Sequence, residues 1–110
     1  MRKDKRRRLE RAGWKIGDAA AFLQLSDEER RFIETKLALA EGLRRLRERQ
    51  GLTQTDVARR IGSSQSRVAK MEVANPSVST DLLLRCLFLL GASRRDVARL
   101  LSDTRRTRAA

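Results

Sequence analysis

Helix-start signals punctuate this chain at six places: Asp18, Ser26, Thr53, Ser63 or Ser64, Ser77 or Ser79, and Ser93. A small side-chain oxygen at each can accept an N–H from the first helical turn. At Ser26, Thr53 and Ser93 an acid stands three residues later, as Glu29, Asp56 and Asp96, so the reciprocal capping box is available. Gly51, Gly62 and Gly91 each stand just past a helical stretch, where a left-handed residue would close the helix. Such punctuation restricts the chain to a succession of capped helices.

The core must suit that pattern. Aromatic residues make up only 4% of the chain, so Leu, Val, Ile and Ala have to fill it, and the scarcity of β-branched and aromatic residues disfavours a sheet. With 110 residues and 40% apolar content there is material for one domain with a modest core. The expected fold is all-α, a five- or six-helix bundle.

Residues 1–11, MRKDKRRRLER, carry seven basic and two acidic side chains and read as a basic flexible arm. Residues 12–36 read as an N-terminal helical extension: Asp18 caps a helix over Ala19 to Gln24, and Trp14, Ile16, Phe22 and Leu23 cover one side of the core. From Ser26 to Gln50 the spacing predicts a helix. Ile33, Leu37 and Ala40 form one stripe, Leu39, Leu43 and Leu46 a second, and Gly42 lies where they overlap. One long helix is preferred to two with a bend. Residues 37–102 form the main domain, and DTRRTRAA (103–110) is a polar, basic tail. Within that domain Thr53 opens a helix to Arg60 or Ile61, and Ser63 or Ser64 opens one to Glu72. A loop holding Pro76 follows. The most apolar helix then runs from Asp81 to Leu90 and is expected to be central and buried, before a last one to about Leu101.

Net charge is +12, which points to a polyanionic partner rather than a neutral one. The excess is mostly Arg, suited to bidentate phosphate and guanine contacts, although codon usage in a GC-rich genome would have the same effect. A single Cys, Cys86, and no His leave no disulfide and no metal site, so no cofactor is expected. With no Tyr, phosphate loop or nucleophile–base pair either, catalysis is not expected. The run AAAFL is too short for a signal peptide or membrane span, so the protein is expected in the cytoplasm.

The stretch TQTDVARRIGSSQSRVAKME, Thr53 to Glu72, holds the functional signal. Projected at about 100° per residue, Val68 and Met71 face inward while Ser66 and Lys70 face out, flanked by Gln65, Arg67 and Ala69. In the preceding segment Val57, Ala58 and Ile61 share the inner face and Arg59 lies outside. The free face of the second helix is compact and rich in hydrogen-bonding groups. An amide there can pair with adenine, Arg67 or Lys70 with guanine, and the Ala69 methyl with thymine. Taken singly, each of these residues is equally consistent with a solvated helix face.

GLTQTDVARRIGSSQSRVAKME resembles the helix-turn-helix of the phage-repressor-type (XRE) regulators, over roughly Leu37 to Ser102. The resemblance implies that Gln54 opens the first helix of the motif and touches phosphate. It implies also that Gln65, Ser66 and Lys70 enter the groove, and that Arg47 pairs with Glu72 as a structural tie. The candidate DNA-binding set is thus Gln54, Arg59, Ser64, Gln65, Ser66, Arg67, Ala69 and Lys70. More narrowly, GWKIGDAAAFLQLSDEER with PSVSTDLLLRCLFLLGAS resembles HigA-type antitoxins. That implies a dimeric repressor of its own operon, acting on a palindromic double-stranded operator and neutralising an mRNA-cleaving toxin. The cationic arm departs from the pattern, since such toxins are themselves basic. A more acidic toxin-binding surface would be Asp18, Asp27, Glu28, Glu29 and Glu34. A repressor without a toxin, or an adaptor binding nucleic acid without sequence preference, are the alternatives. Leu89, Leu100 and Leu101 mark the expected dimer surface.

Overall fold

The computed structural model describes residues 25–102. The basic arm, the apolar segment with Asp18, Trp14, Ile16, Phe22 and Leu23, the helix expected over Ala19 to Gln24, and the tail at 103–110 lie outside the described residues. Within them are five helices and no strand: α1 (Asp27–Arg49), α2 (Gln54–Ile61), α3 (Gln65–Glu72), α4 (Thr80–Leu89) and α5 (Arg94–Ser102).

Each start is made by the side chain that the sequence offers. The Ser26 hydroxyl accepts the Glu29 N–H at 3.2 Å, and the Glu29 carboxylate accepts the Ser26 N–H at 2.9 Å. Thr53 and Asp56 repeat the box at 3.0 and 2.8 Å, as do Ser93 and Asp96. Ser64, not Ser63, caps α3, and Ser79, not Ser77, caps α4. The ends use left-handed residues. At the close of α1 the Leu52 N–H reaches back to the Arg47 carbonyl and the Gly51 N–H to Glu48, both at 3.0 Å, with Gly51 at φ +71°. Gly62 does the same between α2 and α3 at φ +70°. After α3 the left-handed position falls to Ala74 at φ +55°, a strained setting for a residue with a Cβ. Its methyl is fully buried, which offsets that cost.

α1 is a single helix of 23 residues, about 34 Å long. α3, α4 and α5 pack on its C-terminal half, and α2 packs on α3 and α4. Leu39 and Leu43 of α1 meet Val57, Val68, Met71, Leu83 and Leu87, all no more than 1% exposed. Each such side chain contributes roughly 1.5–3 kcal/mol by leaving water, so Leu43→Ala alone would cost about 3 kcal/mol. α5 crosses α1 at Gly42, where any Cβ would overlap the Leu100 δ-methyls. That close approach explains a glycine inside a helix, where it costs about 1 kcal/mol relative to Ala. The Gln50 Nε2 donates to the Leu90 carbonyl at 2.7 Å, fastening the end of α1 to the end of α4.

α4 departs from expectation. It begins one residue earlier than the sequence suggests and is not enclosed. Leu83, Cys86 and Leu87 are buried, but Phe88 and Leu89 are 45% and 63% exposed. A domain this small has too few neighbouring helices to surround one of its own on every side. Leu101 is also half exposed, whereas Leu100 is half-buried against Gly42. No described helix is long and apolar enough to cross a membrane.

Candidate nucleic-acid interface

α2 and α3 form the candidate site. Val57, Ala58, Val68 and Met71 anchor them inward, and Ala58, 3% exposed, lets the two helices close on each other. The anchoring leaves one face of α3 in solvent. Ser64, Gln65, Ser66, Arg67 and Lys70 are exposed and Ala69 is half-buried, as the helical projection requires. Arg60, Arg67 and Lys70 have no ion-pair partner among the described residues, so their charge is available to a polyanion.

Beneath this face runs a chain of polar contacts linking α1, α2 and α3. Arg47 donates Nε to Glu72 Oε2 at 2.5 Å and Nη2 to Glu72 Oε1 at 3.1 Å. Its Nη1 donates to the Leu52 carbonyl at 3.0 Å. These bonds to Glu72 hold the guanidinium proton more tightly than usual. Glu72 Oε1 also accepts Gln54 Nε2 at 3.0 Å, and Gln54 Oε1 accepts Gln65 Nε2 at 2.6 Å. The side chains of Arg47 and Glu72 are 14% and 3% exposed, so the chain begins in the interior and ends at the surface.

Gln54 and Gln65 are therefore brought together, each the first residue of its helix. Gln54 is half-buried, and both ends of its amide are engaged by protein. Arg59 stands apart. It pairs with Asp56 at 3.6 Å and, with Asp56, Leu52 and Arg60, lines a shallow cleft that no α3 residue enters. Thr53 donates its N–H to Asp56, the chief reason that carboxyl is held below the usual range. The bonds Gln54 makes to Glu72 and Gln65 are not legible from spacing. The one hint is that an amide occupies the first position of both helices.

Among the described residues no group of His, Cys, Asp or Glu converges as metal ligands. Of the residues suggested for a toxin, Asp27 is paired with Arg30 at 2.6 Å and Glu29 completes the Ser26 cap. Glu28 is exposed and Glu34 half-buried, and Asp18 is outside the described residues.

Comparison with curated proteins gives no match, and neither does comparison with solved structures. A family model described as a helix-turn-helix domain matches residues 38–100, which takes in the C-terminal half of α1, all of α2, α3 and α4, and most of α5. The match covers more than half of the chain and centres on the two helices that present the polar face, so the chain belongs to the helix-turn-helix domain family, a DNA-binding fold.

Proposed function

We propose that the protein is a sequence-specific transcriptional repressor that binds a palindromic operator as a homodimer, with α3 in the major groove of each half-site. The observation that carries this reading is the Gln54–Gln65 amide pair at the exposed start of α3, with Ser66, Arg67 and Lys70 beside it on the same helix. An α-helix fits the major groove, and a glutamine held at its N-terminal end can offer both a donor and an acceptor to adenine. Lys70 or Arg67 suits guanine, and Ala69 the thymine methyl. With its side chain engaged, Gln54 would meet phosphate through its backbone N–H at the start of α2. Arg59, turned away from this cluster, would serve phosphate rather than a base. Dimerisation would use the exposed Phe88, Leu89 and Leu101. Gel shifts with the operator and an unrelated duplex test the reading: Gln65→Ala and Lys70→Ala abolish the preference for the operator. Unchanged operator affinity in Gln65→Ala would mean that α3 is not the reading helix.

We further propose that the repressor is the antitoxin of a toxin–antitoxin pair. Support comes from the resemblance carried by the segments flanking the motif, and from the N-terminal half of α1. There Phe32 is 57% exposed, with Glu28 one turn before it. An apolar side chain beside an acid suits a basic protein partner. Co-expression with the adjacent reading frame decides it. Toxicity of that gene, relieved by this protein and not by a Phe32→Asp variant, is the expected result. A harmless neighbour would leave a stand-alone regulator.

A further inference from the structure

The Arg47–Glu72 pair has the look of a purely structural tie, yet its charge is transmitted to the surface. We propose that Glu72, which lies behind the reading face, is a positioning residue that fixes the donor–acceptor order in which Gln65 meets a base. This rests on α3 being the recognition helix.

The steps follow from what each atom can do. Both Glu72 oxygens accept from Arg47, and a carboxylate so paired has no hydrogen to give. Only the NH2 end of Gln54 can therefore face it, which the 3.0 Å bond to Glu72 Oε1 shows. The carbonyl end of Gln54 is turned the other way, toward α3. An amide oxygen only accepts, so Gln65 must answer with its own NH2, at 2.6 Å. Reversing either amide would set oxygen against oxygen at one of these contacts. Of the four ways to orient two amides, one satisfies both contacts, and the charge on Glu72 selects it.

The consequence falls on the exposed edge of Gln65. One hydrogen of its NH2 is committed to Gln54. The second hydrogen and Oε1 remain, in a fixed order along the edge. Adenine offers an acceptor at N7 and a donor at its N6 amine, so order decides whether the two edges match or clash. A neutral amide at position 72 can keep its oxygen on the Arg47 Nε and, giving up the second Arg47 bond, turn an NH2 of its own toward Gln54, which runs the relay in the opposite direction. Gln65 would then present two orders, and discrimination at the base it reads would fall. Base contacts of Ser66, Arg67 and Lys70, which take no part in the relay, would be unaffected.

The test uses the full-length chain in selections from a randomised duplex library, comparing wild type, Gln65→Ala, Glu72→Gln and Gln54→Ala. Gln65→Ala identifies the base position that Gln65 reads, with discrimination there falling about tenfold. Glu72→Gln is expected to lose preference at that same position, severalfold, while the rest of each half-site keeps its profile. Gln54→Ala leaves Arg47 and Glu72 paired and cuts the relay between them and the surface. It is expected to give the same local loss, and carries the test alone should Glu72→Gln not fold. A uniform loss of affinity across all positions in Gln54→Ala, or a profile unchanged in both variants while Gln65→Ala shifts one position, overturns the proposal. No shift at any position in Gln65→Ala overturns the groove reading itself, and the relay with it.

Discussion

Arg47 binds both carboxylate oxygens of Glu72 across 25 positions of sequence, joining the end of α1 to the end of α3. A planar guanidinium matches a carboxylate with two parallel bonds, and here both partners are largely out of water. Removing one partner leaves the other as an uncompensated charge. Arg47→Met is accordingly expected to cost about 3 kcal/mol in urea unfolding. Arg47→Lys should recover only part of that, because a single ammonium nitrogen cannot sit within reach of acceptors that three guanidinium nitrogens now meet from separate positions. Full recovery by Lys would show that charge alone matters.

The caps make a second prediction. Thr53→Ala and Ser64→Ala each remove a side-chain acceptor from an N–H in the first turn, the bonds being 3.0 and 3.1 Å. Each should cost about 1 kcal/mol and lower the melting midpoint by roughly 4–8 °C. Ser66→Ala is the control. Ser66 is exposed and caps nothing, so its replacement should stay within about 0.5 kcal/mol. Equal losses in all three would mean that hydroxyl content, not capping, is being measured.

Helix starts and stops were legible because they are local. A hydroxyl three residues before an acid caps a helix whatever lies beyond it, and Gly62 can turn left-handed without help from the core. The inward faces of α2 and α3 were legible for the same reason, since helical periodicity needs no knowledge of neighbours. What spacing could not supply was anything depending on which helices meet. The open outer face of α4, the seating of Leu100 on Gly42 and the bond from Gln50 to Leu90 arise from packing. So does the relay from Glu72 through Gln54 to Gln65. Resemblance reached the Arg47–Glu72 pair but not its continuation. The α3 face follows from periodicity.

Lys36 makes a pH-dependent prediction. It is 6% exposed, and among the described residues no carboxylate or carbonyl bonds its ammonium. Burial lowers its pKa below the ordinary value of 10.5. Between the folded pKa and 10.5 the unfolded chain therefore binds more protons, so this group's contribution to stability rises with pH. Lys36→Met should remove that rise and stabilise the fold by about 1 kcal/mol at neutral pH. Cys86 acts in the opposite direction. Burial pushes its thiol from 9.0 up to about 11, so its contribution falls as pH climbs through that interval. The difference between wild type and Lys36→Met isolates the lysine. A difference that is flat with pH would contradict the assignment.

The arm predicts a salt effect. Residues 25–102 hold 15 basic and 10 acidic side chains, so only +5 of the +12 belongs to the described helices. Replacing Arg2, Lys3, Lys5, Arg6, Arg7 and Arg8 with Gln should weaken binding to every duplex alike. The slope of log affinity against log salt should become shallower by about 0.9 for each phosphate that the arm ceases to neutralise. Base preferences should not change. A shift in preference at any base would place the arm in a groove.

Site selection by the wild-type chain from randomised duplex DNA shows whether α3 reads a paired operator. An inverted repeat whose half-sites are centred about 10–10.5 base pairs apart is expected to be enriched, collapsing to background when Gln65 and Lys70 are both replaced by Ala. Enrichment that survives that double replacement, or binding with no enriched sequence at all, would contradict that reading.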